Sequence, residues 1–197
     1  MKTQKNHSTM TSIIHFSFLF AMLIISSCKE NTMSAQGNPL EKSTAKAPNV
    51  DLQTAVLTDN IQAIKEHISA GSNLNEKEQF GGSTPLITAS VFGKTQIAEL
   101  LINAGADINI QNNDGSTALI TAAFFCRPEI VKMLLKKNAN KTLKNNYGQT
   151  AYESVAGSFD SVKGAYEGLG AMLEPMGLKL DHAYLKKTRP EIAKMLK

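Results

Sequence analysis

The side chains that could carry chemistry in this sequence are few and scattered. Its 197 residues include four histidines and two cysteines. Of the histidines, only His67 and His182 lie outside the first 27 residues. A nucleophile needs a base within hydrogen-bonding reach, and no glycine-rich phosphate loop or metal-spaced cluster of His and Cys accompanies either histidine. We therefore interpret both as structural residues, and we predict a non-enzymatic protein without a catalytic residue, a metal site or a cofactor.

One alternative keeps a small-molecule site open. Asp181, His182 and Tyr184 lie close together near the C-terminus. An enzymatic or ligand-binding site between this segment and the rest of the fold would use these three side chains.

The first 27 residues are typical of an export signal. Lys2 and Lys5 precede an apolar run over residues 13–25, which is too short for a helix that spans a bilayer. The four residues that end at Cys28, Ile-Ser-Ser-Cys, resemble the lipobox of bacterial lipoproteins. The resemblance implies that Cys28 is lipidated, becomes the N-terminus after cleavage, and anchors the protein to a membrane of the cell envelope, on the periplasmic side or at the cell surface. The alternative is ordinary signal cleavage beside an incidental cysteine.

Composition limits the partner class of the mature chain. Residues 28–49 lack aromatic side chains and helical periodicity, which predicts a flexible tether. Without Lys2 and Lys5 the formal charge falls from +4 to +2, and basic residues are interspersed with acidic ones along the chain. The sequence therefore does not indicate a nucleic-acid partner.

Residues 50–197 contain an internal repeat. Gly82, Gly115 and Gly148 lie 33 residues apart, and Thr84 and Thr117 have the same spacing. The segments that open the repeats read STPLITA from residue 83 and STALITA from residue 116, and each is followed by apolar residues at helical spacing. A short period of this kind predicts stacked units, because one unit cannot bury its apolar face alone.

The repeat resembles the ankyrin-repeat family, whose units run from TPLHxA through two helices to GADxN. The resemblance implies an all-α solenoid of about four helix-turn-helix units, with a degenerate first unit at residues 51–75. Ile87 and Ile120 stand where the family has histidine, so apolar packing is expected to replace its hydrogen bond. Asn138 replaces the glycine that caps the second helix, and asparagine tolerates the same left-handed conformation. Cys126 occupies the position of Gly93 in the turn between helices, where we expect a partly buried thiol.

The last unit is expected to be split. Residues 189–196 repeat residues 127–134 with one difference, Ala193 for Val131. Because the two segments lie at different distances from the start of their units, we predict a helical insert at about residues 159–187, with a helix over 160–173. The alternative is a C-terminal cap that is not a repeat.

The resemblance also implies a binding surface for another protein, formed by the turns between units, here called tips, and by the inner, first helices of the units. We expect a monomer that binds a protein partner. The predicted contacts are Phe80, Val91, Phe92, Asn112, Asn113, Asp114, Thr121, Phe124 and Tyr147. Packing between units is the favoured interpretation of Phe92 and of Phe125, whereas Phe80, Phe124 and Tyr147 are left open between packing and binding.

Overall fold

A computed structural model describes residues 46–197, all of whose regular elements are helical. The predicted signal peptide, Cys28 and residues 29–45 of the predicted tether lie outside the described residues. The helices are α1 (Leu52–Leu57), α2 (Ile61–Ser69), α3 (Pro85–Phe92), α4 (Thr95–Asn103), α5 (Ala118–Phe124), α6 (Pro128–Lys136), α7 (Glu153–Ala156), α8 (Phe159–Leu173) and α9 (His182–Leu196). The first six form three pairs of an inner and an outer helix, and each pair packs on the next, as expected for an ankyrin solenoid.

The inner helices begin at side-chain caps. The Thr84 hydroxyl accepts a hydrogen bond from the Ile87 amide, and Thr117 accepts from Ile120, each at 3.3 Å. In the first unit the Asp51 carboxylate accepts from the Thr54 amide instead. Such caps satisfy amide groups that the first turn of a helix leaves without partners.

The turns of each unit use left-handed residues. Gly93 has φ of 67°, and its counterparts Asp59 and Cys126 have φ of 57° and 54°. After the outer helices, Gly105 has φ of 88° and Asn138 has φ of 60°. The predicted asparagine cap is therefore confirmed, since asparagine adopts this conformation more readily than most residues.

The core runs along the stack between inner and outer helices. Ala89 and Ala122 are completely buried, which lets adjacent inner helices approach closely. Ile87 and Ile120 are 1% and 3% exposed. Apolar packing thus replaces the family's histidine, as the sequence predicts, and burial of such side chains stabilises the fold by about 1.5–3 kcal/mol each.

The fourth unit contains the insert. Its inner helix α7 has four residues, and α9 packs on both α6 and α7 as an outer helix. The predicted insert helix is confirmed as α8, which is followed by a 3₁₀ turn at Glu174–Met176 and by Gly177 with φ of 90°. However, α9 already begins at His182, because Asp181 caps it, so residues 182–187 belong to the outer helix and not to the insert.

Candidate protein-binding surface

The three tips, at residues 79–82, 112–115 and 145–148, are joined by a ladder of hydrogen bonds. The Asn113 amide donates to the Gly81 carbonyl at 2.9 Å, and its carboxamide Nδ2 donates to the Phe80 carbonyl at 3.1 Å. One unit further, the Asn146 amide donates to the Asp114 carbonyl at 2.9 Å and its Nδ2 to the Asn113 carbonyl at 2.9 Å. The tips therefore form a continuous, mutually supported edge of the stack.

Each of the second and third tips is also held from within. The Asn112 side-chain oxygen accepts from the Asp114 amide at 3.1 Å and the Ser116 amide at 2.8 Å. Asn145 makes the same pair of bonds in the next tip. The side-chain oxygen of Asn112 and the side-chain nitrogen of Asn113, two residues predicted to contact a partner, are thus bonded within the tips.

The tips expose two large aromatic side chains. Phe80 is 95% exposed and Tyr147 is 76% exposed, one on the first tip and one on the third. The exposed Asp114 lies on the tip between them. The structure therefore places these three predicted contact residues at accessible positions along one edge.

Two predicted contacts on the inner helices are less accessible than the tip residues. Thr121 is 6% exposed, so its side chain is closed to a partner. The half-buried Phe124 ring stacks on Tyr166 from α8, with the ring centroids 4.5 Å apart. Val91 and Phe92 remain half-buried at the end of α3, and the predicted packing of Phe125 is confirmed by its 6% exposure.

A buried polar cluster fastens the insert to the stack. The Tyr166 hydroxyl donates to the Phe124 carbonyl at 2.6 Å and accepts from Arg189 Nη1 at 2.8 Å. Arg189 Nη2 donates to the Gly157 carbonyl at 3.3 Å. Burial raises the pKa of Tyr166 to about 12, so it remains a neutral phenol at physiological pH. The sequence analysis did not predict the contact between Tyr166 and Arg189. The repetition of Arg127 at Arg189 was the feature of the sequence that pointed to Arg189.

The residues considered for chemistry have structural partners. His67 Nδ1 lies 2.9 Å from the Ser72 hydroxyl, and its Nε2 lies 2.7 Å from the Val50 carbonyl oxygen. That carbonyl can only accept, so Nε2 carries a proton. The prediction that Cys126 is partly buried is wrong, because its exposure is 0%, and burial raises the pKa of its thiol to about 11.

The alternative site near the insert is not assembled. Asp181 accepts from the amides of Ala183 and Tyr184, which makes it the cap of α9. The His182 ring packs edge-on near Phe159, at a centroid distance of 5.8 Å. The Tyr184 hydroxyl donates to the Cys126 carbonyl at 3.3 Å. The three side chains therefore serve separate contacts and do not converge.

Metal ligands and membrane-spanning helices can be assessed for residues 46–197. These residues contain no group of three or more His, Cys, Asp and Glu side chains arranged to hold a metal ion. Within the same residues, every helix is too short or too polar to cross a bilayer.

Comparisons with known proteins agree with the geometry. Residues 52–145 match the family model described as ankyrin repeats (3 copies). DNA-binding protein RFXANK from Homo sapiens is 32% identical over 79 residues, which cover 40% of this chain and 30% of that protein. The crystal structure of the ankyrin repeat domain of Bcl-3, a member of the IkappaB protein family, matches with a TM-score of 0.51 and 27% identity, covering 52% of this chain and 45% of that one. The chain thus spans less than half the length of either protein.

Proposed function

From the premise that residues 52–145 are an ankyrin-repeat array, we propose that this protein acts by reversible binding of another protein through its tips and inner helices. The observation that carries the proposal is the exposure of Phe80 and Tyr147 on a hydrogen-bonded edge. Aromatic side chains on a rigid support offer a large contact area at a small entropic cost, which favours them as anchors of an interface.

We further propose where this binding takes place. The lipobox resemblance at Cys28 supports a lipid anchor in the bacterial cell envelope, with residues 28–49 as the tether. An anchored binding module would inhibit, protect or scaffold an envelope protein. The name of RFXANK describes DNA binding by that protein, whereas the near-neutral charge of this mature chain favours a protein partner.

Capture from native envelopes tests the proposal. The mature chain, residues 28–197, is immobilised and incubated with detergent-solubilised envelopes, and captured proteins are identified by mass spectrometry. The double variant Phe80→Ala and Tyr147→Ala should reduce capture of a specific partner by about tenfold or more, because it removes two exposed anchors worth about 1–2 kcal/mol each. Helicity, measured by circular dichroism, should not change.

A matched control replaces exposed apolar residues elsewhere. Met172 and Met176, on and after α8 and outside the tips, are 63% and 48% exposed. Their joint replacement by alanine should leave capture unchanged. Equal loss in both double variants, or capture by the Phe80 and Tyr147 variant at the level of the native chain, contradicts the proposed surface.

A further inference from the structure

The two ends of the hydrogen-bond ladder that joins the tips have different surroundings. The first difference is the burial of the tip glycines. Gly82 and Gly115 are buried, whereas Gly148, at the same position of the third tip, is exposed. A Cβ placed on Gly115 would meet Asn146 Oδ1 at 2.7 Å and the Asn146 amide nitrogen at 3.0 Å. A Cβ on Gly148 would meet no atom within 4 Å. The space that an asparagine fills over the first two tips is therefore open over the third.

The first tip is closed from within. Glu78 accepts hydrogen bonds from the amides of Phe80 at 2.6 Å, Gly81 at 2.7 Å and Ser83 at 3.0 Å. The Phe80 amide is the counterpart of the Asn113 amide, which bonds to a preceding tip. Phe80 also has no carboxamide to continue the ladder. The first tip consequently needs no upstream neighbour.

The third tip has no corresponding closure. In the ladder, the carbonyls of Asn113 and Asp114 each accept a bond from Asn146. Their counterparts are the carbonyls of Asn146 and Tyr147, and no donor from residues 46–197 reaches either one. The ladder therefore ends in two aligned acceptors beside an open glycine.

We propose that the protein partner docks a turn containing asparagine onto this open edge, in the place that a further tip would occupy. The inference rests on the proposed function and adds the chemistry of the partner. A partner amide donates to the Tyr147 carbonyl, an asparagine Nδ2 donates to the Asn146 carbonyl, and the same carboxamide covers Gly148. Both groups on the edge are acceptors, so the partner must bring donors, and aspartate in place of asparagine would meet them with an oxygen.

A second copy of this chain does not fit this edge through its own first tip. That tip carries Phe80 where the asparagine is required, and its amide donors are already bonded to Glu78. Tyr147, which is 76% exposed beside the open acceptors, would add apolar contact with an external partner. Backbone bonds with flanking side-chain contacts are how proteins recognise added strands and turns.

The test uses a peptide copied from the chain itself. The probe is a cyclic peptide of residues 144–150, whose Asn146 makes these contacts on Gly115 within the protein. It is titrated into the ¹⁵N-labelled mature chain, and amide chemical shifts are followed by NMR. We expect saturable shifts centred on residues 145–149, and binding about tenfold weaker for the peptide with Asn146→Asp, since one hydrogen bond is lost. Shifts that do not saturate, or that centre elsewhere, overturn the proposal.

A pair of protein variants separates the edge from general effects. Gly148→Asn fills the open space at φ of 74°, a conformation that Asn138 already adopts at 60°. Gly71→Asn is the matched control, since Gly71 has φ of 69°, an equally open Cβ position and a place outside the tips. We expect Gly148→Asn to weaken peptide binding about tenfold and Gly71→Asn to leave it unchanged. Equal affinity in both variants overturns the proposal.

Other occupants of the edge give different results. Sedimentation of the unliganded protein that reveals a dimer, lost in Gly148→Asn, would identify a second copy. Shifts of amides in residues 28–45 caused by Gly148→Asn without peptide would identify the chain's own N-terminal segment. Either result overturns the choice of an external partner.

Capture from envelopes distinguishes this inference from the proposed function. Capture that survives Gly148→Asn but is lost in the Phe80 and Tyr147 double variant overturns the open-edge proposal and leaves the proposed function standing. Absence of any specific captured protein overturns the proposed function. Loss of capture in both Gly148→Asn and the Phe80 and Tyr147 double variant supports the proposed function and the open-edge proposal.

Discussion

At the residue scale, the insert depends on a buried cation held by neutral acceptors. Arg189 is 2% exposed, and its bonds go to the Tyr166 hydroxyl and the Gly157 carbonyl. Its Cζ also lies 5.8 Å from the centroid of the Tyr166 ring, within range of a cation–π interaction. Tyr166 therefore joins three elements, because it contacts α9 through Arg189 and α5 through Phe124 from its own position on α8.

Replacing Tyr166 by phenylalanine should expose the dependence of Arg189 on that hydroxyl. The change keeps the stacked ring but leaves Arg189 Nη1 and the Phe124 carbonyl without their observed partners. A buried charged donor without an acceptor costs about 2–3 kcal/mol, so the free energy of unfolding in urea should fall by about that amount. Tyr147→Phe, at an exposed tip, should change it by less than about 0.5 kcal/mol. A similarly small change for Tyr166→Phe would show that Arg189 finds another acceptor.

Cys126 should make stability fall at alkaline pH. Burial raises the pKa of its thiol from 9.0 to about 11 in the folded protein. Between these values the unfolded chain releases a proton that the folded chain retains, so the free energy of unfolding decreases as pH rises, by up to about 1.4 kcal/mol per pH unit. Below pH 9.0 the contribution is fully present.

The matched measurement compares the native chain with Cys126→Ala in urea across this pH range. The variant lacks the thiol and should show the shallower decline. Tyr166, whose pKa is raised from 10.0 to about 12 by burial, with a contribution from Cys126, weakens both proteins with the same sign. The difference between the two curves therefore reports the thiol together with its electrostatic effect on Tyr166. Parallel curves would mean that the thiol titrates alike in both states.

At the element scale, one sequence segment occurs in two structural contexts. Pro128 stands at the start of α6, where its missing amide has no partner to lose. Pro190, in the repeated segment, lies inside α9, whose cap Asp181 comes eight residues after Leu173, the last residue of α8. The repeated segment correctly predicted an outer helix, but it did not predict that this helix would begin at His182, eight residues before the proline.

Proline-to-alanine changes should therefore act differently at the two sites. Pro190→Ala restores a helical amide at an exposed position and should raise the free energy of unfolding by about 2 kcal/mol, because proline is disfavoured in helix interiors. Pro128→Ala should leave it unchanged or lower it by about 0.5 kcal/mol, since the unfolded chain gains freedom. Urea unfolding measures both. A loss of stability in Pro190→Ala would show that the packing of α9 requires the shape that proline imposes.

At the scale of the whole molecule, the sequence predicted interactions within a repeat unit but not those between residues far apart in the chain. The helix pairs were predictable because each unit repeats its own caps and turns, such as Thr84 and Gly105. The contact of Tyr166 with Phe124 was not, because it joins residues 42 positions apart and no other unit repeats it. The same contact leaves Phe124 half-buried beside the insert, whereas the tip residue Tyr147 is 76% exposed.

The proposed membrane anchor also concerns the whole molecule, and substitutions at Cys28 and Cys126 provide its test. If Cys28 carries the lipid, metabolic labelling with a tagged fatty acid in a bacterial host should mark the native chain, and Cys28→Ala should abolish the label. A lipid chain gains about 0.8 kcal/mol per buried CH₂, so its loss should also release the protein from sedimented membranes. Cys126→Ala is the control and should keep the label, because the Cys126 thiol is completely buried. Labelling that persists in Cys28→Ala rejects the anchor, and a native chain without label indicates ordinary signal cleavage.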